Sequence, residues 1–196
     1  MGHKIKTITV YAASSSQLDP VYFQAARELG TLLAGQGIAC INGAGNKGLM
    51  SAVSDAVLEA GGRVIGVIPQ FMIDEGWCHD SLTELVVTPD MHVRKQTMAR
   101  RSDACIALPG GIGTLEELME IITWKQLGLY THSIIILNVN HFYDDLLKML
   151  ERIEQERFMH PKHIHIWRVA TTPEEALDII LSNPEWESNP RSFAAL

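Results

Sequence analysis

The chain has 196 residues, 46% of them hydrophobic and 20% charged, a composition typical of one globular domain and not of a disordered segment. The net charge of −7, with no basic face evident, argues against a surface for nucleic acid. No apolar run approaches the roughly 18 residues that a membrane-spanning helix requires, so we expect no membrane contact.

Short runs rich in β-branched residues alternate with helical patterns along the chain. The predicted strands are 5–12, 38–42, 63–68, 84–87, 104–108, 133–138 and 167–170. Apolar residues recur at helical spacing between them; Asp19 and Pro20 predict the N-cap and first residue of the first helix. The alternation predicts a single α/β domain over residues 1–183, a Rossmann-like doubly wound parallel sheet, followed by a C-terminal tail at 184–196.

In such a sheet, ligands bind beyond the carboxyl ends of the strands, where the strand order reverses, so the loops that follow strands are the places to search. The first loop, AASSSQ at 12–17, presents three hydroxyl groups ahead of a helix. Hydroxyl and free N–H groups in that position suit a phosphate, and Ser14 is predicted to contact one. The alternative is a polar turn that only caps the helix.

The second loop, NGAGNKGL at 42–49, contains the pattern G-x-G-x-x-G at Gly43, Gly45 and Gly48. A dinucleotide fingerprint also needs an acidic residue about 20 positions further on to bind the ribose, and it normally follows the first strand. Here the loop follows the second strand, and the next strand ends in IPQ at 68–70. The loop therefore suits a mononucleotide better than a dinucleotide, with close strand–helix packing as the alternative use of its glycines.

The third loop, TPDMHVRK at 88–95, predicts a helix with Thr88 as N-cap and Pro89 as its first residue. Arg94 and Lys95 then lie within two turns of the positive end of the helix, where a cation is disfavoured by roughly 0.3 kcal/mol or more. An anion facing these two side chains would explain their position, and a solvated pair is the alternative.

The fourth loop, LPGGIGTLEEL at 108–118, follows a strand predicted to be buried. Three glycines turn the chain into a helix: Gly110, Gly111 and Gly113. The pattern T-x-x-E at Thr114 and Glu117 predicts a capping box, in which the carboxylate returns to the Thr114 N–H. The same pattern begins the last predicted helix at Thr172, where nothing suggests chemistry. On these residues alone, capping and a functional role both stay open for Glu117.

The chain start and the cysteines predict the compartment. The opening stretch MGHKIKTITVYA has no long apolar core followed by a small-residue cleavage site, so we expect no signal peptide. Cys40, Cys78 and Cys105 are odd in number and scattered, and two lie in apolar runs. They are typical of reduced packing residues, and we therefore expect a cytoplasmic protein.

Three of the loops, GAGNKGLM, DMHVRK and LPGGIGTLEE, resemble in order and spacing the LONELY GUY (LOG) family of cytokinin riboside 5′-monophosphate phosphoribohydrolases, often misnamed lysine decarboxylases. The resemblance covers about residues 7–181, and the central motif PGGxGTxxE is matched from Pro109 to Glu117. It implies a Rossmann-like homodimer that hydrolyses the N-glycosidic bond of a purine nucleoside 5′-monophosphate, either cytokinin-type or AMP, without a cofactor. The implied products are the free base and ribose 5-phosphate.

The resemblance also implies roles for individual residues. Arg94 and Glu117 match the catalytic pair, and Lys95 would assist with the nucleotide. A further set would hold the phosphate or ribose: Gly43, Gly45, Gly110, Gly111, Gly113 and Thr114. The family's second loop usually reads GGG, and Ala44 stands at its middle position here. We expect its methyl group to narrow the pocket and affect nucleotide preference.

The chemistry of the implied reaction suits these side chains. Breaking the C1′–N9 bond builds positive charge on the ribose, as in glycosidases, and a carboxylate near C1′ can stabilise that charge or activate the attacking water. The planar guanidinium of Arg94 could position Glu117, hold the phosphate or assist the departing base, and the sequence leaves these roles open.

Three other interpretations of these residues are a carrier protein, a decarboxylase and a metal site. Rossmann-like relatives bind a phosphorylated ligand such as molybdenum cofactor without cleaving it, so a binding or carrier protein is the alternative function. A decarboxylase would need pyridoxal phosphate on a lysine, and no lysine stands in such a setting. The histidines at 160, 163 and 165 have no carboxylate or cysteine companion at familiar spacing, so we predict no metal site.

Overall fold

The computed structural model describes residues 4–182, and the predicted tail at 184–196 lies outside the described residues. The strands are β1 (Thr7–Tyr11), β2 (Ala39–Asn42), β3 (Val64–Pro69), β4 (Glu84–Thr88), β5 (Ala104–Ala107), β6 (Ser133–Leu137) and β7 (Arg168–Ala170). The helices are α1 (Pro20–Gly35), α2 (Gly48–Glu59), α3 (Gln70–Asp74), α4 (Met91–Arg100), α5 (Ile112–Gln126), α6 (Asp144–Gln155) and α7 (Pro173–Leu181). Each predicted strand is present, whereas the five-residue α3 was not predicted.

Within the described range the strands form one sheet in the order β4-β3-β2-β1-β5-β6-β7, and every neighbouring pair is parallel. The chain winds outward from β1 to β4, then returns to the other side of β1 and winds outward again to β7. The predicted doubly wound, Rossmann-like fold is thus confirmed. The strand order reverses between β1 and β5, so the loops after these two strands flank the point at which such folds bind ligands.

Both faces of the sheet are covered by helices. Helices α1, α2 and α7 bury Leu29, Val53 and Ile180 against one face, and α4, α5 and α6 pack on the other. Residues of β1 alternate between the two sides, with Ile8 in the first cluster and Tyr11 in the second. Each fully buried Leu or Ile contributes roughly 1.5–3 kcal/mol, so this double layer holds the strand ends in fixed positions. In residues 4–182 we find no helix with the length and apolarity needed to span a membrane.

The first residues of the helices confirm some of the predicted N-caps and show that others were wrong. Asp19 accepts a hydrogen bond from the Val21 N–H at 3.0 Å, and Thr172 accepts one from the Glu175 N–H at 3.2 Å, so both predicted N-caps are confirmed. The prediction for Thr88 was wrong. It is the last residue of β4, and the carboxylate of Asp90 caps α4 instead.

The capping box predicted at Thr114 was also wrong. Helix α5 begins at Ile112 with Gly111 as N-cap, so Thr114 is the third helical residue. Its side chain packs against Gly110, where an added Cβ would lie 2.1 Å from the Thr114 hydroxyl oxygen. Because the helix starts two residues before Thr114, Glu117 lies beyond its first turn. Capping therefore does not explain this carboxylate.

Candidate active site

A cavity of about 530 Å³ lies at the carboxyl edge of the sheet. The loops after β1, β2, β3 and β5 form its walls together with the first turns of α4 and α5. Among the predicted site residues, those lining it are Ser14, Gly43, Gly45, Arg94, Gly111, Gly113, Thr114 and Glu117. Residues far apart in sequence thus meet in one space, as their positions after parallel strands predicted.

Arg94 is held at the centre of this cavity by backbone carbonyl groups. Its Nε donates to the Val67 oxygen at 3.0 Å, and its Nη2 donates to the Gly43 oxygen at 3.2 Å. The side chain is only 6% exposed, and Nη1 lies 3.7 Å from Oε1 of Glu117. Since both carbonyls belong to the sheet and its loop, the guanidinium is fixed before any ligand arrives.

Gly43 makes room for this guanidinium. A Cβ at position 43 would lie 1.7 Å from Nη2 of Arg94 and 2.8 Å from its Cζ. No side chain can occupy that position without moving the arginine. The structure therefore gives Gly43 a packing function beside Arg94 in addition to its place in the cavity wall.

Glu117 is a nearly buried carboxylate beside a fixed cation. Its side chain is 11% exposed, and burial raises its pKa to about 7, with the nearby Arg94 opposing the shift and Glu116 adding to it. A carboxyl group with a pKa near neutrality exchanges protons readily at physiological pH, as a general base or acid requires.

Lys95, the other predicted cation, does not line the cavity, although its partner Glu116 does. Its ammonium group donates to carboxylate oxygens of Glu116 and, at 3.1 Å, Glu120, both on α5. Burial lowers the pKa of Lys95, but these hydrogen bonds outweigh that effect and leave its pKa above the usual value. Lys95 is not among the cavity-lining residues, so the nucleotide contact implied for it has no counterpart in this geometry.

At the end of the cavity that lies by β1 and β5, no side chain caps the backbone N–H groups at the start of α5. Helix α5 begins there without a side-chain cap, and a Cβ added at Gly111 or Gly113 would meet nothing within 4 Å. Ser14, in the loop after β1, is exposed and also lines the cavity. An uncapped helix N-terminus combines free donors with a positive dipole end, so this part of the cavity suits a phosphate.

The N-terminus of α2 is already occupied, although the glycine loop before it suggested a nucleotide. The Leu49 and Met50 N–H groups donate to the Ala13 carbonyl at 2.9 and 3.2 Å. Gly48 has φ +66°, and a Cβ there would lie 2.5 Å from the Ser14 carbonyl carbon. Close packing is thus the function of Gly48, and the expectation of a ligand at this helix end is not met.

Ala44 does not narrow the cavity, contrary to expectation. It is fully buried, and its methyl group faces Gly66 of β3, where an added Cβ would lie 2.6 Å away. Its φ of 59° lies in the left-handed region, which costs a non-glycine residue on the order of 1 kcal/mol. The Asn42 side chain supports this turn by accepting from the Ala44 N–H at 2.9 Å and donating to Ser54 at 2.8 Å.

The other end of the cavity is apolar, and the sequence did not predict it. Met72, Trp77 and Met91 line it, and Trp77 is 46% exposed. The segment that carries Trp77 is tied to the glycine loop, because the Asn46 N–H donates to the Trp77 carbonyl at 3.0 Å and the Asn46 amide donates to Gly76 at 2.8 Å. A half-exposed tryptophan on an anchored loop offers a flat apolar surface to a ligand.

Two of the histidines considered as metal ligands, His160 and His163, accept hydrogen bonds from nearby backbone N–H groups. His160 Nδ1 accepts from the Lys162 N–H, and His163 Nδ1 accepts from the His160 N–H, both at 3.2 Å, in the 3-10 turn Pro161–His165. A search of residues 4–182 finds no group of three or more His, Cys, Asp or Glu side chains placed to hold a metal ion.

Comparisons with known proteins show relatives that match most of the chain. A protein-family model described as a possible lysine decarboxylase matches residues 50–180. The chain is 39% identical to a protein of Oryza sativa subsp. japonica named probable cytokinin riboside 5′-monophosphate phosphoribohydrolase LOGL6, over 97% of this chain and 80% of that one. It is 44% identical to the Arabidopsis thaliana cytokinin riboside 5′-monophosphate phosphoribohydrolase LOG1, over 83% and 76% of the two chains. Among solved structures, the molybdenum cofactor binding protein from Rippkaea orientalis matches with a TM-score of 0.69 and 25% identity, over 92% and 98% of the two chains.

Proposed function

The chain belongs to the LOG family, and from that premise we propose that it hydrolyses the N-glycosidic bond of purine nucleoside 5′-monophosphates. The products would be the free base and ribose 5-phosphate. The observation that carries the proposal is the Arg94–Glu117 pair, a carboxylate with a pKa of about 7 beside an anchored guanidinium in one cavity. The two plant relatives are named as phosphoribohydrolases, and we therefore propose glycosidic-bond hydrolysis and not lysine decarboxylation.

Glu117 acts on the water that attacks the ribose. As the C1′–N9 bond breaks, its electron pair leaves with the base, which takes up a proton from solvent to become the free base, and positive charge develops at C1′. The ionised carboxylate stabilises that charge and accepts a proton from the water, whose oxygen bonds to C1′. Of the three roles that the sequence left open for Arg94, its 3.7 Å contact and its two carbonyl anchors favour positioning Glu117.

The 5′-phosphate is placed at the N-terminus of α5. The free N–H groups around Gly111 and Gly113, the Thr114 side chain and the Ser14 hydroxyl supply donors at this end of the cavity. Glu116 would repel the phosphate if it were unpaired, but Lys95 compensates its charge. Glu117 is close to half protonated near pH 7 and so repels the phosphate less than an ordinary carboxylate would.

The base is placed at the apolar end, across the Arg94–Glu117 pair from the phosphate. The strand order supports this orientation, since the phosphate end lies at β1 and β5 and the apolar end lies beyond β2, at β3 and β4. Met72, Trp77 and Met91 present apolar surface there, which suits a purine ring carrying an apolar N6 substituent better than the polar amino edge of adenine. Cytokinin-type nucleotides are therefore proposed as better substrates than AMP.

A panel of purine nucleoside monophosphates tests the proposal. The chain is incubated with AMP, GMP and N6-isopentenyl-AMP, and free base is measured by chromatography. We expect base from N6-isopentenyl-AMP at a higher kcat/KM than from AMP. Trp77→Ala should lower that preference and leave the rate with saturating AMP within a few-fold. Tight binding without release of base would favour the carrier alternative.

We also propose that the protein is a cytoplasmic homodimer that binds nucleotides and has neither nucleic-acid nor membrane partners. Support for the dimer comes from the edge strand β4, on which Leu85 and Val87 are exposed, at 44% and 48%. An exposed apolar edge strand is a surface that proteins usually cover. Light scattering of the purified chain should give twice the monomer mass, and a monomer would refute this part of the proposal.

A further inference from the structure

We infer that Lys95 is a positioning residue that holds the charge balance around Glu117 by pairing with Glu116 and Glu120. The inference rests on the proposed function of the site, and it replaces the nucleotide contact that the family resemblance implied for Lys95. Three observations support it: the position of the ammonium group, its hydrogen-bond partners, and the charges that surround Glu117.

The ammonium group is paired with carboxylates of α5 and does not itself line the cavity, whereas Glu116, one of its two partners, does. The Lys95 side chain is 8% exposed, and it is paired with two carboxylates, Glu116 and Glu120, on either side of Glu117 along the helix. Arg94, the preceding residue on α4, points into the cavity. Two consecutive residues of α4 thus engage three carboxylates of α5, Arg94 with Glu117 and Lys95 with the other two.

The groups that act on Glu117 come from three elements. They are Tyr11 of β1, Arg94 and Lys95 of α4, and Glu116 and Glu120 of α5. Lys95 and its two partner carboxylates carry a formal net charge of −1. Without Lys95 the same cluster carries −2, next to a carboxylate that must ionise to act as a base.

The net charge of Lys95, Glu116 and Glu120 determines the direction in which the pKa of Glu117 shifts. A more negative cluster disfavours ionised Glu117 and raises its pKa, and a less negative cluster lowers it. Removing one charge at this range shifts a partly buried group by on the order of one pKa unit. Because Glu117 has a pKa of about 7, such a shift changes its ionised fraction most at neutral pH. The rate at pH 7 is then about fivefold lower after an upward shift, and it recovers at high pH.

Three variants test the inference by pH–rate profiles. Lys95→Met should move the midpoint of kcat/KM to higher pH. Glu120→Gln should move it to lower pH, because the cluster becomes neutral. The double variant Lys95→Met/Glu120→Gln restores the net charge of −1 and should return the midpoint to within a few tenths of a unit of wild type. Glu120 does not line the cavity, so its substitution leaves the ligand surface unchanged.

The midpoint of kcat/KM separates this role from binding. Loss of Lys95 also leaves Glu116 unpaired beside the phosphate, so a raised KM is expected from either role. If Lys95 acted only by contacting the nucleotide, Lys95→Met would raise KM and leave the midpoint unshifted, and this result would overturn the inference. Unshifted midpoints in Glu120→Gln would also overturn it, even if Lys95→Met proved too unstable to assay, and thermal unfolding of each variant identifies that case. A wild-type chain that releases no base from any nucleotide would instead overturn the proposed hydrolysis, so the two failures are distinguishable.

Discussion

The substitution Gly43→Ala tests whether the position of Arg94 controls the reaction, without changing any polar side chain. A methyl group at position 43 would lie 1.7 Å from Nη2 of Arg94. To reach even 3.0 Å, the closest separation that real Cβ atoms show, the guanidinium must move by about 1.3 Å. It then loses its 3.2 Å hydrogen bond to the Gly43 carbonyl, and its 3.7 Å contact with Glu117 changes length or direction.

Two effects of Gly43→Ala follow from that displacement. A misplacement of about 1 Å in a catalytic group can cost roughly 10²-fold in rate, and we expect a loss of at least that size in kcat. A buried hydrogen bond to a charged group is worth about 1.5–3 kcal/mol, so the free energy of unfolding should fall by a similar amount. Base release from a nucleoside monophosphate gives the first quantity, and urea unfolding gives the second.

Gly35→Ala is the matched control, because an added Cβ there meets nothing within 4 Å and its backbone conformation suits alanine. Its activity should equal that of wild type. A second control uses the arginine itself: Gly43→Ala combined with Arg94→Met should be no slower than Arg94→Met alone, since both changes act on one group. Wild-type turnover in Gly43→Ala, or additive losses in the double variant, would show that the position of Arg94 does not control the rate.

Three further predictions concern Glu117 and Ala44. Since Glu117 has a pKa of about 7 and acts in its ionised form, kcat/KM should rise as pH increases through about 7. Glu117→Gln should lower kcat by about 10²-fold or more and flatten that rise. An unchanged rate would show that Glu117 takes no part in the mechanism. Its folded-state pKa is raised above the unfolded value, so ionisation destabilises the wild type as pH rises from about 4.5 to about 7. The stability of Glu117→Gln relative to wild type should therefore increase by on the order of 2 kcal/mol between pH 5 and pH 8.5, measured by urea unfolding. Ala44→Gly should leave kcat/KM and nucleotide preference within twofold, because the methyl group faces Gly66; a changed preference would restore the view that it shapes the cavity.

The sheet and the location of the site were predictable because both follow from periodic patterns. The alternation of strands and helices predicted a parallel sheet, and ligand sites in such sheets lie at the carboxyl ends of the strands. N-cap residues were predictable only where the sequence offered no other residue at which the helix could begin. At Thr172 the helix begins with the next residue, Pro173, whereas at Thr114 the two preceding glycines let the helix begin earlier.

Side-chain direction was the part that the sequence could not supply. Arg94 and Lys95 are adjacent cations in one motif, yet one is anchored by carbonyls inside the cavity and the other is paired with α5. A helix turns about 100° per residue, so neighbours face different surroundings, and the motif alone does not say which. The apolar end was missed for another reason. Trp77 reaches the cavity through hydrogen bonds between two loops, a long-range contact with no periodic signal.

Cleavage of the C1′–N9 bond in this cavity is the reaction that we propose. Its most direct test is a time course with N6-isopentenyl-AMP in which free base is measured by chromatography and the phosphorus species by ³¹P NMR. We expect equal amounts of base and ribose 5-phosphate from the wild type, with both products reduced in parallel in Glu117→Gln. Inorganic phosphate, or nucleotide recovered intact from a tight complex, would show that the protein does not hydrolyse this bond.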